Sequence, residues 1–183
     1  MKKILFLFLA ACFFFSCEKE TIVIPQQHAG RTVLAFFWAD NSLNSSLRNN
    51  IQTMMQGLQA MKDSAALLVY WDGEASDISW PEPCIVEYVT NGQGGINSMS
   101  KEAVNAMIAD QDMSVHDLIS IGNIRKKYPP QTSTEKTVMQ TVIGDMMSVY
   151  PSESYGIIFG SHGSGWLPTI TGTRSIGQDG GRY

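Results

Sequence analysis

Apolar positions fall along this chain in two periods that alternate. Thr32 to Trp38 is an unbroken apolar, aromatic-rich run, which predicts a central strand. Leu43, Leu47, Ile51, Met54, Leu58 and Met61 then recur at steps of three and four, the stripe of a helix that packs on a sheet and turns its Asn, Gln and Arg residues outward. Ala65 to Trp71 predicts a second buried strand, closed by Asp72-Gly73, and Cys84 to Thr90 a third. Met99, Ala103, Met107 and Ile108 mark a short helix. Gly122 to Tyr128 reads as a strand that pairs with Cys84–Thr90. Val138, Val142, Met146 and Val149 mark a further helix, ended by Pro151. Tyr155 to Phe159 is a last apolar run, read as a strand buried on both faces. Strand–helix–strand units of these lengths are right-handed crossovers, so an α/β fold with parallel strands is expected.

Local polar signals refine this frame. Ser114 and Asp117, and again Thr132 and Glu135, have capping-box spacing. Asp40 or Ser42 is placed to cap the helix that starts near Leu43. Asp72 reads as a turn residue first and a site residue second.

The 183 residues suffice for one domain, with 44% apolar and 16% charged positions and a formal net charge of -4. That balance leaves no basic footprint for nucleic acid. Residues 1–17 read as a leader: Lys2 and Lys3 precede the apolar run Ile4–Phe15, too short for a stable membrane span. The run ends at Ser16-Cys17, which resembles the lipobox of bacterial lipoproteins and implies a lipid anchor at the outer membrane, while Glu18-Lys19-Glu20 resembles a surface-export signal; a plain secretory leader with an incidental cysteine is the alternative. Residues 18–30 read as a tether, and residues 31–183 as the folded part. With Cys12 leaving in the leader and Cys17 lipidated, Cys84 alone remains, so no disulfide is expected in the mature chain. Cys84 itself reads as a small buried hydrophobe.

The strongest chemical signal is at the last strand. Tyr155-Gly156-Ile157-Ile158-Phe159-Gly160 is followed by Ser161-His162-Gly163-Ser164-Gly165-Trp166. A polar side chain delivered at the carboxyl end of a parallel strand is where open α/β sheets keep their chemistry. Gly163 and Gly165 let the backbone come close to a bound group, and an amide there is placed to meet an oxyanion. The structural alternative is a Gly-rich turn in which His162 bonds a carbonyl and Trp166 covers the sheet edge. No G-x-S-x-G elbow and no G-x-G-x-x-G turn exists in the chain, which sets aside an esterase and a dinucleotide site.

This histidine block resembles that of clostripain-like cysteine peptidases, relatives of caspases, legumains and gingipains. Thr32–Leu43, Leu67–Gly73 and Val138–Pro151 agree with it in order. Residues 98–122 match least and read as an insertion or lineage-specific loop, with His116 at the surface. The resemblance implies a caspase-like three-layer α/β/α sandwich with a mostly parallel central sheet, incomplete in this chain. It implies cleavage after Arg or Lys by a Cys–His dyad, with His162 as base and the Gly163 N–H as oxyanion donor. It places Asp40 and Asn41 at the substrate-binding rim and processing at Arg174 or Arg182. The nucleophile it implies lies at the end of the next buried strand, and no cysteine follows Cys84. The chain is therefore expected to hold half of an active site and to be inactive alone, with a C-terminal part or heavy chain as partner. No cofactor is expected, and a calcium requirement is not legible. The rival expectation is a surface lipoprotein that binds peptide without cutting it.

Overall fold

A computed structural model describes residues 29–61, 65–73, 82–110 and 113–162. The elements are β1 (Ala29–Ala39), α1 (Asn44–Ala60), β2 (Ala65–Gly73), β3 (Cys84–Val89), α2 (Lys101–Ile108), α3 (Val115–Ile121), β4 (Asn123–Lys127), α4 (Lys136–Val149) and β5 (Ser152–Gly160). They form one five-stranded sheet in the order β4-β3-β2-β1-β5. β1 runs parallel to β2 on one side and to β5 on the other. β3 runs antiparallel to both β2 and β4. The fold is α/β as expected, and the sheet is mixed: its β2-β1-β5 portion is parallel. β1 begins at Ala29, two residues inside the stretch read as tether.

Alternation along β1 explains its unbroken apolar sequence. Ala35, Phe37 and Ala39 turn to the α1 side, while Leu34, Phe36 and Trp38 turn to the α4 side. β2 divides in the same way, with Leu67, Val69 and Trp71 opposed to Leu68 and Tyr70. Helices therefore cover both faces of the inner strands, and the buried indole N–H groups of Trp38 and Trp71 there have no hydrogen-bond partner among the described residues.

The helices depart from the sequence reading at particular residues. In α1 the buried set is Leu47, Ile51, Gln52, Met55 and Leu58. The stripe thus includes Met55 as its fully buried methionine, Met54 packs partly buried against the same cluster, and Met61 is exposed. Gln52 is buried because its Nε2 donates to the carbonyl oxygens of Asp110 at 2.8 Å and Ile108 at 3.5 Å, which ties α1 to the end of α2. Residues 98–122, read as an insertion or lineage-specific loop, contribute two helices and part of the core. Val104, Ile108, Met113, Val115, Leu118, Ile119 and Ile121 all enter the core on the α1 side. Ser114 and Asp117 form the expected capping box, and His116 is exposed. Thr132 and Glu135 do not form theirs. Glu135 is the N-cap residue of α4 without a side-chain bond, and its N–H goes to the Thr132 carbonyl.

The largest departure is β5. It was expected to be buried on both faces, yet it forms the sheet edge, with β1 on one side and no partner on the other among the described residues. Ile157, Ile158 and Phe159 are 45%, 41% and 42% exposed. The apolar run records what these side chains prefer, and it does not specify which segment supplies the covering surface.

Candidate active site

The site lies where β1 and β5 end side by side. Phe37 pairs with Gly160 in register, so the residues that follow the two strands reach the same rim of the sheet. The corner after β1 is braced by asparagines. Asn41 Nδ2 donates to the Trp38 carbonyl at 2.6 Å, and Asn41 Oδ1 accepts from the Leu43 N–H at 2.9 Å. Asn44 Nδ2 donates to the Ala39 carbonyl at 3.1 Å. Leu43 is the N-cap residue of α1 and makes no side-chain cap bond, so the N-cap position falls on neither Asp40 nor Ser42. An Asx turn at Asn41 supplies the stop instead.

That leaves the Ser42 hydroxyl available, and it meets the histidine. Ser42 Oγ and His162 Nε2 are 2.8 Å apart. His162 Nδ1 has no hydrogen-bond partner among the described residues; the residue is half-buried, and the Ser42 contact itself is exposed. Two contacts fix where residue 162 emerges. Phe159 stacks on Trp38, and Gly160 lies tight against β1 and α1. A Cβ on Gly160 would fall 2.6 Å from Phe37 Cδ1 and 2.7 Å from Leu47 Cδ2. Besides the glycines after His162, Gly160 two residues before it sits where a side chain would clash with Phe37 and Leu47.

Asp72, at the carboxyl end of β2, reaches the same rim and turns inward. It is buried and accepts a hydrogen bond from the Ser133 hydroxyl. Ser133 Oγ also lies 2.7 Å from Tyr70 Oη, which accepts from Gln131 Nε2 at 2.9 Å. This network pins the segment ahead of α4 to the sheet. It gives Ser133 the inward position that the capping-box spacing of Thr132 and Glu135 had obscured.

Cys84 is fully buried at the start of β3. β3 stands three strands from β5, roughly 14 Å at normal strand spacing. That is beyond any proton transfer to His162. Gly163, Arg174, Arg182 and Cys17 lie outside the described residues. Among the described residues, no group of three or more His, Cys, Asp or Glu side chains is placed to hold a metal ion.

His162 thus stands at the carboxyl end of a parallel strand, beside the corner of the neighbouring strand. A profile of the clostripain family matches residues 35–182. The chain belongs to the clostripain family. Solved clostripain-family structures share its fold. A B. fragilis cysteine protease is 27% identical with a TM-score of 0.53, over 79% of this chain and 98% of that one. A secreted C11 cysteine protease from Bacteroides thetaiotaomicron, in complex with an irreversible peptide inhibitor, is 25% identical with a TM-score of 0.54, over 84% of this chain and 35% of that one. A clostripain from the same organism, also bound to a peptide inhibitor, is 16% identical with a TM-score of 0.53, over 78% of this chain and 97% of that one, and speaks for the fold alone. The chain thus spans nearly all of the first and third relatives and about a third of the second. No match was found among curated proteins.

Proposed function

We propose that this clostripain-family chain supplies the histidine half of a cysteine endopeptidase that cleaves after Arg or Lys. The observation that carries the reading is the position of His162. It stands at the carboxyl end of β5, next to the β1 corner, on a strand that has no outer partner among the described residues and whose Ile157, Ile158 and Phe159 are half exposed. A further strand pairing along that edge would cover Ile157, Ile158 and Phe159 and bring its own end to the same rim. The nucleophile is a cysteine on that strand, from a segment other than the described one. Cys84, buried three strands away, does not serve.

The chemistry then runs as follows. The thiol gives its proton to His162, and the thiolate attacks the scissile carbonyl. The Gly163 N–H donates to the oxyanion. The imidazolium returns the proton to the leaving amine, and water releases the acyl group. Asp40 and Asn41 belong to the rim that receives substrate. Asn41 does so through the shape of the corner, since its side chain is committed to backbone. Asp40 adds negative charge that favours a cationic P1 side chain. Arg174 and Arg182 are the proposed processing sites, and Cys17 is the proposed lipid attachment that would hold the enzyme at the cell envelope. Without the second half the chain is proposed to be inactive.

The test is turnover of Arg- and Lys-ending fluorogenic peptides by the full-length product. His162→Ala is expected to lower kcat by about 100-fold or more, the range of a positioned general base. Equal turnover by both forms would remove His162 from the mechanism.

A further inference from the structure

We propose that Ser42 is the positioning residue of His162, holding the ring by accepting its Nε2–H and so making Nδ1 the nitrogen that exchanges protons with the thiol. The inference rests on His162 being the base of a cysteine peptidase. It adds which ring nitrogen acts and what fixes it.

A neutral imidazole has one N–H and one lone pair, and its tautomer follows the partner of the anchored nitrogen. Ser42 Oγ is 2.8 Å from Nε2, whereas Nδ1 has no partner among the described residues. For the ring to accept the thiol proton, one nitrogen must keep a free lone pair. With Nε2–H donating to Oγ, that nitrogen is Nδ1. When Nδ1 takes the proton the ring is an imidazolium, and both nitrogens are donors. Ser42 still accepts from Nε2–H, so the contact persists through both protonation states. A hydroxyl suits this role because it is neutral and rotates to present a lone pair in either state.

The fold explains why Ser42 is available. It lies in the β1–α1 corner, where Asn41 and Asn44 already satisfy the backbone groups and Leu43 occupies the N-cap position without help. The Ser42 hydroxyl is therefore not spent on the helix. The two residues are 120 positions apart, and the parallel register of β1 and β5 brings them together. Because β1 lies on one side of β5 only, an anchor from the β1 corner turns Nε2 toward β1 and leaves Nδ1 for a group arriving on the other side.

The experiment compares wild type, Ser42→Ala, Ser42→Thr and His162→Ala in the full-length product. It follows peptide turnover and the imidazole ¹⁵N resonances of His162. Ser42→Ala is expected to lower kcat by about ten-fold with KM held within about two-fold, the mark of a lost catalytic rather than binding contribution. Ser42→Thr, which keeps the hydroxyl, is expected to recover most of the loss. The neutral ring is expected in the Nε2–H tautomer in wild type and in a mixture in Ser42→Ala. An unchanged kcat in Ser42→Ala, a loss confined to KM, or an Nδ1–H tautomer in wild type would overturn the proposal. Full turnover by His162→Ala would instead remove the peptidase reading on which it rests. The ¹⁵N readout reports on Ser42 whether or not turnover is observed.

Discussion

Phe159 of the edge strand stacks on Trp38 of its neighbour, with ring centroids 5.7 Å apart and planes 23° apart. The two rings are unequally placed. Trp38 is almost fully buried, while 42% of Phe159 is exposed. Phe36 adds a tilted contact to the same Phe159 ring at 6.0 Å. Phe159 precedes His162 by three residues, so this stack holds the end of β5 flat on the sheet.

Phe159→Ala is expected to destabilise the fold by about 1–2 kcal/mol, less than for a fully buried ring because part of its surface already meets water. Urea denaturation followed by tryptophan fluorescence checks it, since Trp38 loses its stacking partner. A change below about 0.3 kcal/mol would mean that the stack contributes little to holding the strand.

Gly160→Ala is expected to cost about 1–3 kcal/mol by overpacking. The added methyl would meet two atoms of the Phe37 ring, at 2.6 and 2.8 Å, and Leu47 Cδ2 at 2.7 Å. Neither side chain has room to withdraw, because both are buried between β1 and α1. β5 must move away, so the variant is also expected to lose the Ser42–His162 contact. Thermal melting checks the first effect and the His162 ¹⁵N resonances the second.

Glu87 gives a pH dependence of unusual sign. It is a buried carboxyl on β3, 3.7 Å from Arg125, and its Oε1 has no partner among the described residues. Burial pushes its pKa up, against the opposing pull of Arg125 and a hydrogen bond from Asn123. The folded protein therefore holds this proton more tightly than the unfolded chain does. Stability from this group is full below the unfolded pKa and falls as pH rises through the folded one, the reverse of a salt-bridged carboxylate. Glu87→Gln is expected to be more stable than wild type at pH 7 and to lose that dependence above pH 4.5. Denaturant midpoints across pH 4 to 8 test it. A variant less stable at pH 7 would show that the Arg125 pair outweighs burial.

The order of strands and helices was legible because each segment carries its own period. What surrounds each segment was less so. In α1 Met55 is fully buried while Met54 packs only partly buried against the same cluster, and the spacing alone does not distinguish them. Gln52 looked like a surface residue until the chain beyond Ile108 returned to accept its hydrogen bonds. Residues 98–122 looked expendable because the family resemblance was weak there, yet two short helices from this stretch complete one face of the core. Thr132 and Glu135 had the right spacing for a cap, but Ser133 between them was claimed by Asp72 and Tyr70.

The candidate site divides in the same way. His162 was legible because its strand, its glycines and its place in the family all pointed to one residue. Ser42 was not, because its role depends on a register between strands far apart in sequence. Near its own helix it had a more ordinary use, capping, that in the fold it does not perform.

The reversed direction of β3 has one more consequence. It brings Cys84 to the same end of the sheet as His162, yet seals the sulfur beneath α1 among fully buried neighbours. Alkylating reagents should find this sulfur silent while the tertiary structure persists and reactive once it is lost. The residue least suited to attack a peptide bond is in this way a natural gauge of whether the domain is intact.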